Sequence, residues 1–101
     1  MGDKITVYIS IGNSDDGLSQ VMWADFIHSM ELALTNLAYH QHGEWFSEPT
    51  SEYQNAIWCV EVRTVMIQQL KVRLSKLAKR FKQKSIAWVE AKEVELILSE
   101  E

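Results

Sequence analysis

Cysteine, proline and glycine are scarce in this sequence, and their scarcity excludes several classes of protein. The single cysteine, Cys59, cannot form an internal disulfide framework of the kind that staples small secreted domains. With one proline and four glycines, the chain shows no internal linker, repeat or low-complexity segment. No apolar run approaches the roughly 18 residues of a membrane span, and the first residues lack an apolar signal region. We therefore expect a cytoplasmic protein that does not interact with membranes.

Acidic residues are absent from residues 62–89, although this stretch contains eight basic residues. The rest of the chain holds two basic residues and all fourteen acidic ones, so the formal net charge of -4 hides a strong asymmetry. A chain polarised in this way can present one basic face and one acidic face. A second interpretation is a solvated helix whose late cations suit its own dipole.

Hydrophobic residues make up 47% of the 101 residues, which is enough for one domain, residues 1–101, with its own core. Apolar and polar residues alternate in the first strand-like run, and two longer stretches repeat with a helical period. Turn formers separate these segments. The predicted strands are residues 4–11, 39–46, 55–62 and 85–91, and the predicted helices are residues 19–38 and 64–83.

The predicted order of elements is β-α-β-β-α-β, an α+β arrangement in which two amphipathic helices need one apolar sheet face. This order resembles the ferredoxin-like sandwich, which implies a four-stranded antiparallel sheet in the order 4-1-3-2 with both helices on one face. The segments SIGNSDD, HGEW, QNAIWC and SIAW are also similar to small bacterial and phage proteins of uncharacterised function. This similarity implies no function and no site residue, and the ferredoxin-like fold itself carries many unrelated functions.

Three polar segments, NSDDG, SEPTSEYQN and KQKS, are expected to meet at one end of this sheet. Ser19 is the predicted N-cap of the first helix, and Leu18 belongs to the same capping structure. Capping does not account for the other polar residues, and binding residues usually lie in loops on a rigid scaffold. The alternative is ordinary turn chemistry. The residues predicted to bind a small polar ligand are Asn13, Asp15, Asp16, Glu48, Gln54 and Asn55.

The segment HQHGE places His40, His42 and Glu44 two residues apart, so on a regular strand all three side chains point to one face. Two imidazoles and a carboxylate form a facial set suited to zinc, iron or another divalent transition metal. The alternative is an edge strand whose polar side chains protect it against unwanted pairing.

Four tryptophans are many for a chain of this length. Burial explains Trp23 and is the first explanation for the others. The second explanation is the sheet face without helices, where exposed aromatic side chains form a surface for a protein partner or a homodimer. The residues predicted for this interface are Tyr8, Trp45, Trp58 and Trp88. Cys59 is expected to be buried within a central strand.

Nucleic-acid binding is disfavoured, because the third strand lacks the signature of the RNA-recognition motif and the cations lie on the second helix, behind the sheet. No phosphate-binding or catalytic motif is present. The sequence therefore predicts a non-catalytic binding or interaction module without a cofactor. An inhibitor or ligand-sequestering protein of the phage anti-defence or toxin-neutralising type fits this description. The alternative is a small metal-dependent enzyme that uses His40, His42 and Glu44.

Overall fold

The computed structural model describes residues 3–13, 17–48, 51–92 and 95–100. Within them the chain forms an α+β arrangement of one four-stranded antiparallel sheet and two α-helices. The strands lie in the order β2-β3-β1-β4, which is the predicted order seen from the other edge. The elements are β1 (Lys4–Gly12), α1 (Gln20–Leu37), β2 (His40–Phe46), β3 (Asn55–Arg63), a short 3₁₀ helix (Thr64–Met66), α2 (Ile67–Arg80) and β4 (Ala87–Ala91).

The two central strands alternate between a buried side and an accessible side, as the period of two predicts. Their inward side chains form one core with the apolar faces of both helices, and we call this side of the sheet the helix-covered face. The opposite side is the open face. The inward residues of the two central strands are Val7, Ile9, Ile11, Ala56, Trp58, Val60 and Val62.

Helix α1 begins where the capping pattern predicts. The Ser19 hydroxyl accepts a hydrogen bond from the backbone N–H of Met22, at 3.2 Å, which satisfies one of the free donors of the first turn. Phe26 of α1 stacks on Phe81 at the end of α2, with ring centroids 4.8 Å apart. Both rings are buried, so this stack fixes one helix against the other near the C-terminal end of α2.

Helix α2 is shorter than its predicted range, residues 64–83. It begins at Ile67 because residues Thr64–Met66 form a tighter 3₁₀ turn. At its other end Lys82 adopts a left-handed conformation with φ 56°. The Lys82 and Gln83 N–H groups donate to the carbonyls of Lys79 and Ala78, at 3.1 and 2.8 Å, which is the double hydrogen bond of a Schellman motif.

The segment after β4 does not extend the sheet within the described residues. Residues 95–100 have no regular secondary structure and are exposed. In the described parts of the chain, neither helix combines the length and the apolar character that crossing a membrane requires.

Candidate functional site

Two of the polar segments meet at the end of β1, as the fold predicts. The backbone N–H of Asn13 donates to the Gln54 carbonyl at 2.8 Å, and this bond joins the loop after β1 to the loop before β3. The third segment lies nearby, because Arg80, Phe81 and Lys82 line a cavity with residues 17–19. The expected meeting of three loops at one end of the sheet is therefore present. We call this region the loop end.

The loop end is organised around buried side-chain amides. Asn13 Nδ2 donates to the Leu18 carbonyl and to Gln54 Oε1, both at 3.0 Å, while Asn13 Oδ1 accepts from the Leu18 N–H at 2.9 Å. Gln54 Nε2 donates to Gln20 Oε1 at 2.8 Å, and Gln20 Nε2 returns a bond to Gln54 Oε1 at 3.0 Å. Asn13 and Gln54 are 2% and 5% exposed, so these bonds satisfy polar groups that solvent does not reach.

In this network, Asn13 and Gln54 have a structural role, although the sequence predicts that they bind a ligand. Asn13 and Gln54 hold the two loops together, which leaves less of their hydrogen-bonding capacity for a ligand. Gln20 joins them, although no sequence pattern identified it: as the first residue of α1, it reads as an ordinary surface position. Its partner Gln54 lies thirty-four residues away, a separation at which local sequence does not identify a partner.

The other proposed ligand residues occupy different surroundings. Glu48 is exposed, and its carbonyl accepts from the Ser51 N–H at 2.9 Å. Asn55 is half-buried and donates from Nδ2 to the Tyr53 carbonyl at 2.8 Å. Asp15 and Asp16 lie outside the described residues.

Two of the proposed ligand residues border a cavity of about 250 Å³ between α1, the end of β2 and the start of β3. Its apolar wall includes Trp23 and Phe46, and its polar groups are side-chain amides and a hydroxyl. The lining residues carry no formal charge. This composition suits a small neutral molecule with hydrogen-bonding groups better than an ion. The lining residues are Gln20, Trp23, Ala24, Ile27, Phe46, Ser47, Gln54 and Asn55.

The open face of the sheet carries a row of apolar and aromatic side chains. Tyr8 on β1 lies opposite Cys59 on β3 and Val89 on β4, and Trp45 on β2 lies opposite Ile57 on β3. Tyr8, Trp45, Ile57 and Val89 are 45%, 53%, 36% and 57% exposed. The patch therefore crosses all four strands, and neither helix covers it.

Cys59 belongs to this patch, so its expected burial is wrong. The residue is half-buried, because position 59 shares the open side of β3 with Ile57. Its side-chain interaction with Tyr8 raises the pKa of the tyrosine hydroxyl above its ordinary value. Side chains alternate between the two sides of a strand, so Cys59 lies on the side opposite its buried neighbours Trp58 and Val60. This alternation could have placed Cys59 correctly.

Two of the four tryptophan and tyrosine residues predicted for the interface lie on the other side of the sheet. Trp58 is 0% exposed on the helix-covered face and packs edge-to-face with Phe46, so its assignment to the open face is wrong. Trp88 lies opposite Ile9, also on the helix-covered side, where Lys71 Nζ is 5.0 Å from its ring centroid. Tyr8 and Trp45 lie on the open face as predicted. Ile57 and Val89 were missed because their strands were not assigned inner and outer sides.

The proposed metal set is divided by an irregularity in β2. A bulge between Gln41 and Gly43 shifts the register, so that Glu44 lies opposite the buried Trp58 on the helix-covered face. The expectation that His40, His42 and Glu44 share one face is therefore wrong. In the described ranges, no group of three or more histidine, cysteine, aspartate or glutamate side chains is arranged to hold a metal ion.

The two histidines lie together and meet a different carboxylate. Their ring centroids are 4.8 Å apart, and His42 Nε2 is 3.5 Å from Glu61 Oε1 on β3. The pairing of β2 with β3 places Glu61 opposite His40 and so brings its carboxylate to the histidines. No sequence spacing indicates this neighbour.

Glu44 meets a second carboxylate on α1. Partial burial, followed by the side chain of Glu44, raises the pKa of Glu31 above its ordinary value. The indole N–H of Trp58 has no hydrogen-bond partner within bonding distance. It nevertheless lies near enough to Glu31 to lower the pKa of that carboxyl, against the two effects that raise it. The neighbouring Glu44 carboxylate therefore disfavours ionisation of Glu31.

The end of the open face opposite the loop end is basic. Lys4 and Arg63 pair across β1 and β3, and both cations lie over the Tyr39 ring, 4.0 and 4.9 Å from its centroid. The loop end instead carries the exposed carboxylates Glu48 and Glu52. Lys4 and Arg63 thus lie at one end of the open face, beside the half-buried Glu61, and the exposed Glu48 and Glu52 lie in the loops at the other end, with apolar residues between them.

Comparison with known proteins shows a similar fold in a solved structure and identifies no activity. No protein-family model matches the chain, and no curated protein matches it. Among solved structures, it is similar to a DUF3240 family protein from Shewanella baltica OS155, with 10% identity, a TM-score of 0.52, and coverage of 99% of this chain and 100% of that one. It is also similar to an unknown protein from Galdieria sulphuraria, with 11% identity, a TM-score of 0.49, and coverage of 93% of this chain and 52% of that one. At this level of identity, the first likeness concerns the fold alone.

Proposed function

We propose that the protein is a small, non-catalytic interaction module that binds a second copy of itself through the open sheet face, and that its architecture is the ferredoxin-like sandwich. The observation that carries the functional proposal is the exposed patch of Tyr8, Trp45, Ile57 and Val89. Scattered exposed apolar residues are normal, but four on one uncovered sheet face form a continuous surface.

The chemical composition of this patch supports protein binding. Tyrosine and tryptophan are enriched at interface hot spots, because they bury a large area and lose little conformational entropy. Cys59 and Ile57 fill the central strand between Tyr8 and Trp45. The patch therefore combines two aromatic anchors with an apolar centre.

The charges at the two ends of the face support a second copy as the partner. A two-fold axis through an open face can place two copies antiparallel, with each end against the opposite end. The Lys4 and Arg63 end of one copy then faces the loop end of the other, which includes the exposed Glu48 and Glu52. This arrangement is self-complementary, whereas a parallel arrangement would bring like charges together.

Sedimentation velocity tests this proposal. The wild-type protein should sediment at no less than about twice its 11.7 kDa monomer mass, and Trp45→Ser with Tyr8→Thr should weaken association through the open face by about tenfold or more, as loss of hot-spot residues does. Val21→Thr, at an exposed site on α1, is the control and should have no effect. A strictly monomeric wild-type protein, or equal association of both variants, would contradict self-association through this face.

The loop-end cavity supports a second part of the proposal, the binding of a small polar ligand. An uncharged cavity lined by Asn55, Ser47 and Trp23 suits a neutral molecule with hydrogen-bonding groups. A ligand-sequestering or inhibitory role would follow from such binding, without turnover. Native mass spectrometry of protein purified from its host should show a bound small molecule that Asn55→Ala removes while the fold is retained. An empty wild-type protein, or unfolding of the variant, would contradict this site.

A further inference from the structure

The first observation is an uncovered groove between α2 and the edge strand β4. It has a volume of about 290 Å³. Leu74, Ala78, Ile86 and Trp88 line it, and Lys71 and Lys84 stand among the same lining residues. Its volume is at the low end of the roughly 300–1,000 Å³ of ligand pockets, which suits a few aliphatic side chains better than a large cofactor. The groove is thus apolar and cationic.

The second observation is the exposed segment that follows β4. Leu96, Ile97 and Leu98 are 76%, 91% and 83% exposed. Three consecutive aliphatic side chains in water are unfavourable, since burial of each would contribute about 1.5–3 kcal/mol. The segment does not line the groove of its own chain, so its apolar residues are left without a packing partner among the described residues.

The charges of the two features are opposite. Residues 93–101 contain four glutamates and no basic residue, whereas residues 62–89 contain eight basic residues and no acidic one. The segment therefore has aliphatic residues flanked by carboxylates, and the groove has an apolar lining with two lysines. The aliphatic residues of the segment can therefore pack on the apolar lining of the groove, and its carboxylates can pair with the two lysines.

We propose that residues 95–100 of one copy bind in the α2–β4 groove of a second copy. Leu96, Ile97 and Leu98 supply the apolar contact, and Glu95 and Glu100 pair with Lys71 and Lys84. This interface is separate from the open face and involves none of its residues. Reciprocal exchange between two copies closes a dimer, and one-way exchange gives a ring or a filament.

Complementary charge reversal tests the proposal in the full-length protein. One variant, Lys71→Glu with Lys84→Glu, has a reversed groove; the other, Glu95→Lys with Glu100→Lys, has a reversed segment. With Trp45→Ser and Tyr8→Thr present in every protein to remove association through the open face, either variant alone should associate at least about tenfold more weakly than the protein with a normal groove and segment, because like charges then face each other. A mixture of the two should restore association, since the reversed groove accepts the reversed segment and the normal groove accepts the normal one.

Capture of one variant by an affinity-tagged copy of the other identifies the contact as intermolecular. In the same open-face background, tagged reversed-groove protein should retain untagged reversed-segment protein but not untagged protein of its own type. Lys76→Glu with Lys79→Glu makes the same charge change on α2 outside the groove lining, and should leave association unchanged. Circular dichroism should show that all variants keep the fold.

Three results would overturn the proposal. They are association that survives both reversals although the open face is disabled, a mixture of folded variants that does not associate, and a control variant that is as impaired as the reversed groove. The Trp45→Ser and Tyr8→Thr changes in both partners separate this contact from the open face. Restored capture in that background would support the groove contact independently of the proposed function.

Discussion

Asn13 and Gln54 are joined twice, once through their backbones at 2.8 Å and once through their side chains at 3.0 Å. They lie forty-one positions apart, at the end of β1 and immediately before β3. Because both side chains are buried, this pair fixes how the two loops meet. It also determines where the proposed ligand cavity opens, since Gln54 is part of its lining.

Replacing Asn13 by alanine should destabilise the protein substantially. The change leaves buried Leu18 and Gln54 groups without their partners, and each such loss costs about 1–3 kcal/mol. For a domain of this size, we expect the melting temperature to fall by at least about 4 °C. Glu48→Ala, at an exposed site in the same region, should change stability by less than about 0.5 kcal/mol. Equal melting temperatures for Asn13→Ala and the wild type would mean that the amide network contributes little.

Replacing Lys82 by glycine should stabilise the protein. Lys82 has φ 56°, a conformation that glycine adopts without the steric cost of a Cβ. Its backbone hydrogen bond to Lys79 is unaffected by the substitution. Relief of the left-handed conformation, about 1–2 kcal/mol, outweighs the roughly 0.4–1 kcal/mol entropic cost of glycine in the unfolded chain, so we expect a gain of up to about 1 kcal/mol in urea denaturation. Lys79→Gly, in the last turn of α2 where φ is negative, is the matched control and should cost up to about 1 kcal/mol. A loss of stability in Lys82→Gly would contradict this account of the helix end.

Replacing Glu31 by glutamine should stabilise the protein near neutral pH. The folded state raises the pKa of Glu31, so its contribution to stability is fully present below the ordinary glutamate pKa and is lost as pH rises through the raised value. The advantage of the variant should therefore grow from about pH 4 to about pH 7. We expect about 0.2–1 kcal/mol, the range for adjacent like charges, and nearer its lower end because the carboxyl is largely solvated.

Thermal unfolding of the wild type and Glu31→Gln at several pH values measures this difference. Asp25→Asn removes one negative charge from the same helix and controls for the change in net charge. A variant that is less stable at neutral pH, or a difference that shrinks as pH rises, would show that Glu44 does not oppose ionisation of Glu31.

A metal chelator should leave the melting temperature unchanged. Glu44 lies on the opposite side of β2 from the two histidines, and His42 approaches Glu61 instead. Without Glu44, the two imidazoles fall short of the three or four ligands of a zinc site, and in the described ranges no group of three or more ligating side chains is arranged to hold a metal ion. Elemental analysis should find less than stoichiometric metal. A stoichiometric transition metal that is lost in His42→Ala would restore the metal-dependent enzyme as the better hypothesis.

Local sequence patterns were enough to predict the α+β class, the order of elements and most of their boundaries. Alternating apolar residues in β1 and the helical repeat in α1 are local signals, because each follows from the geometry of one segment. The N-cap at Ser19 is equally local, since a hydroxyl bonds an N–H three residues away. The strand order was implied by the resemblance of this element order to the ferredoxin-like sandwich, and the sheet has that order.

Only the tertiary structure decided which polar residues are neighbours and which side of the sheet each aromatic residue occupies. A single bulge in β2 places Glu44 on the opposite side of the strand from the histidines, and the spacing of residues in the sequence does not indicate a bulge. The partners of Asn13, His42 and Glu31 all lie on other elements, at separations that local patterns do not encode. Secondary structure depends on contacts within a few residues, whereas a site depends on the register between distant segments.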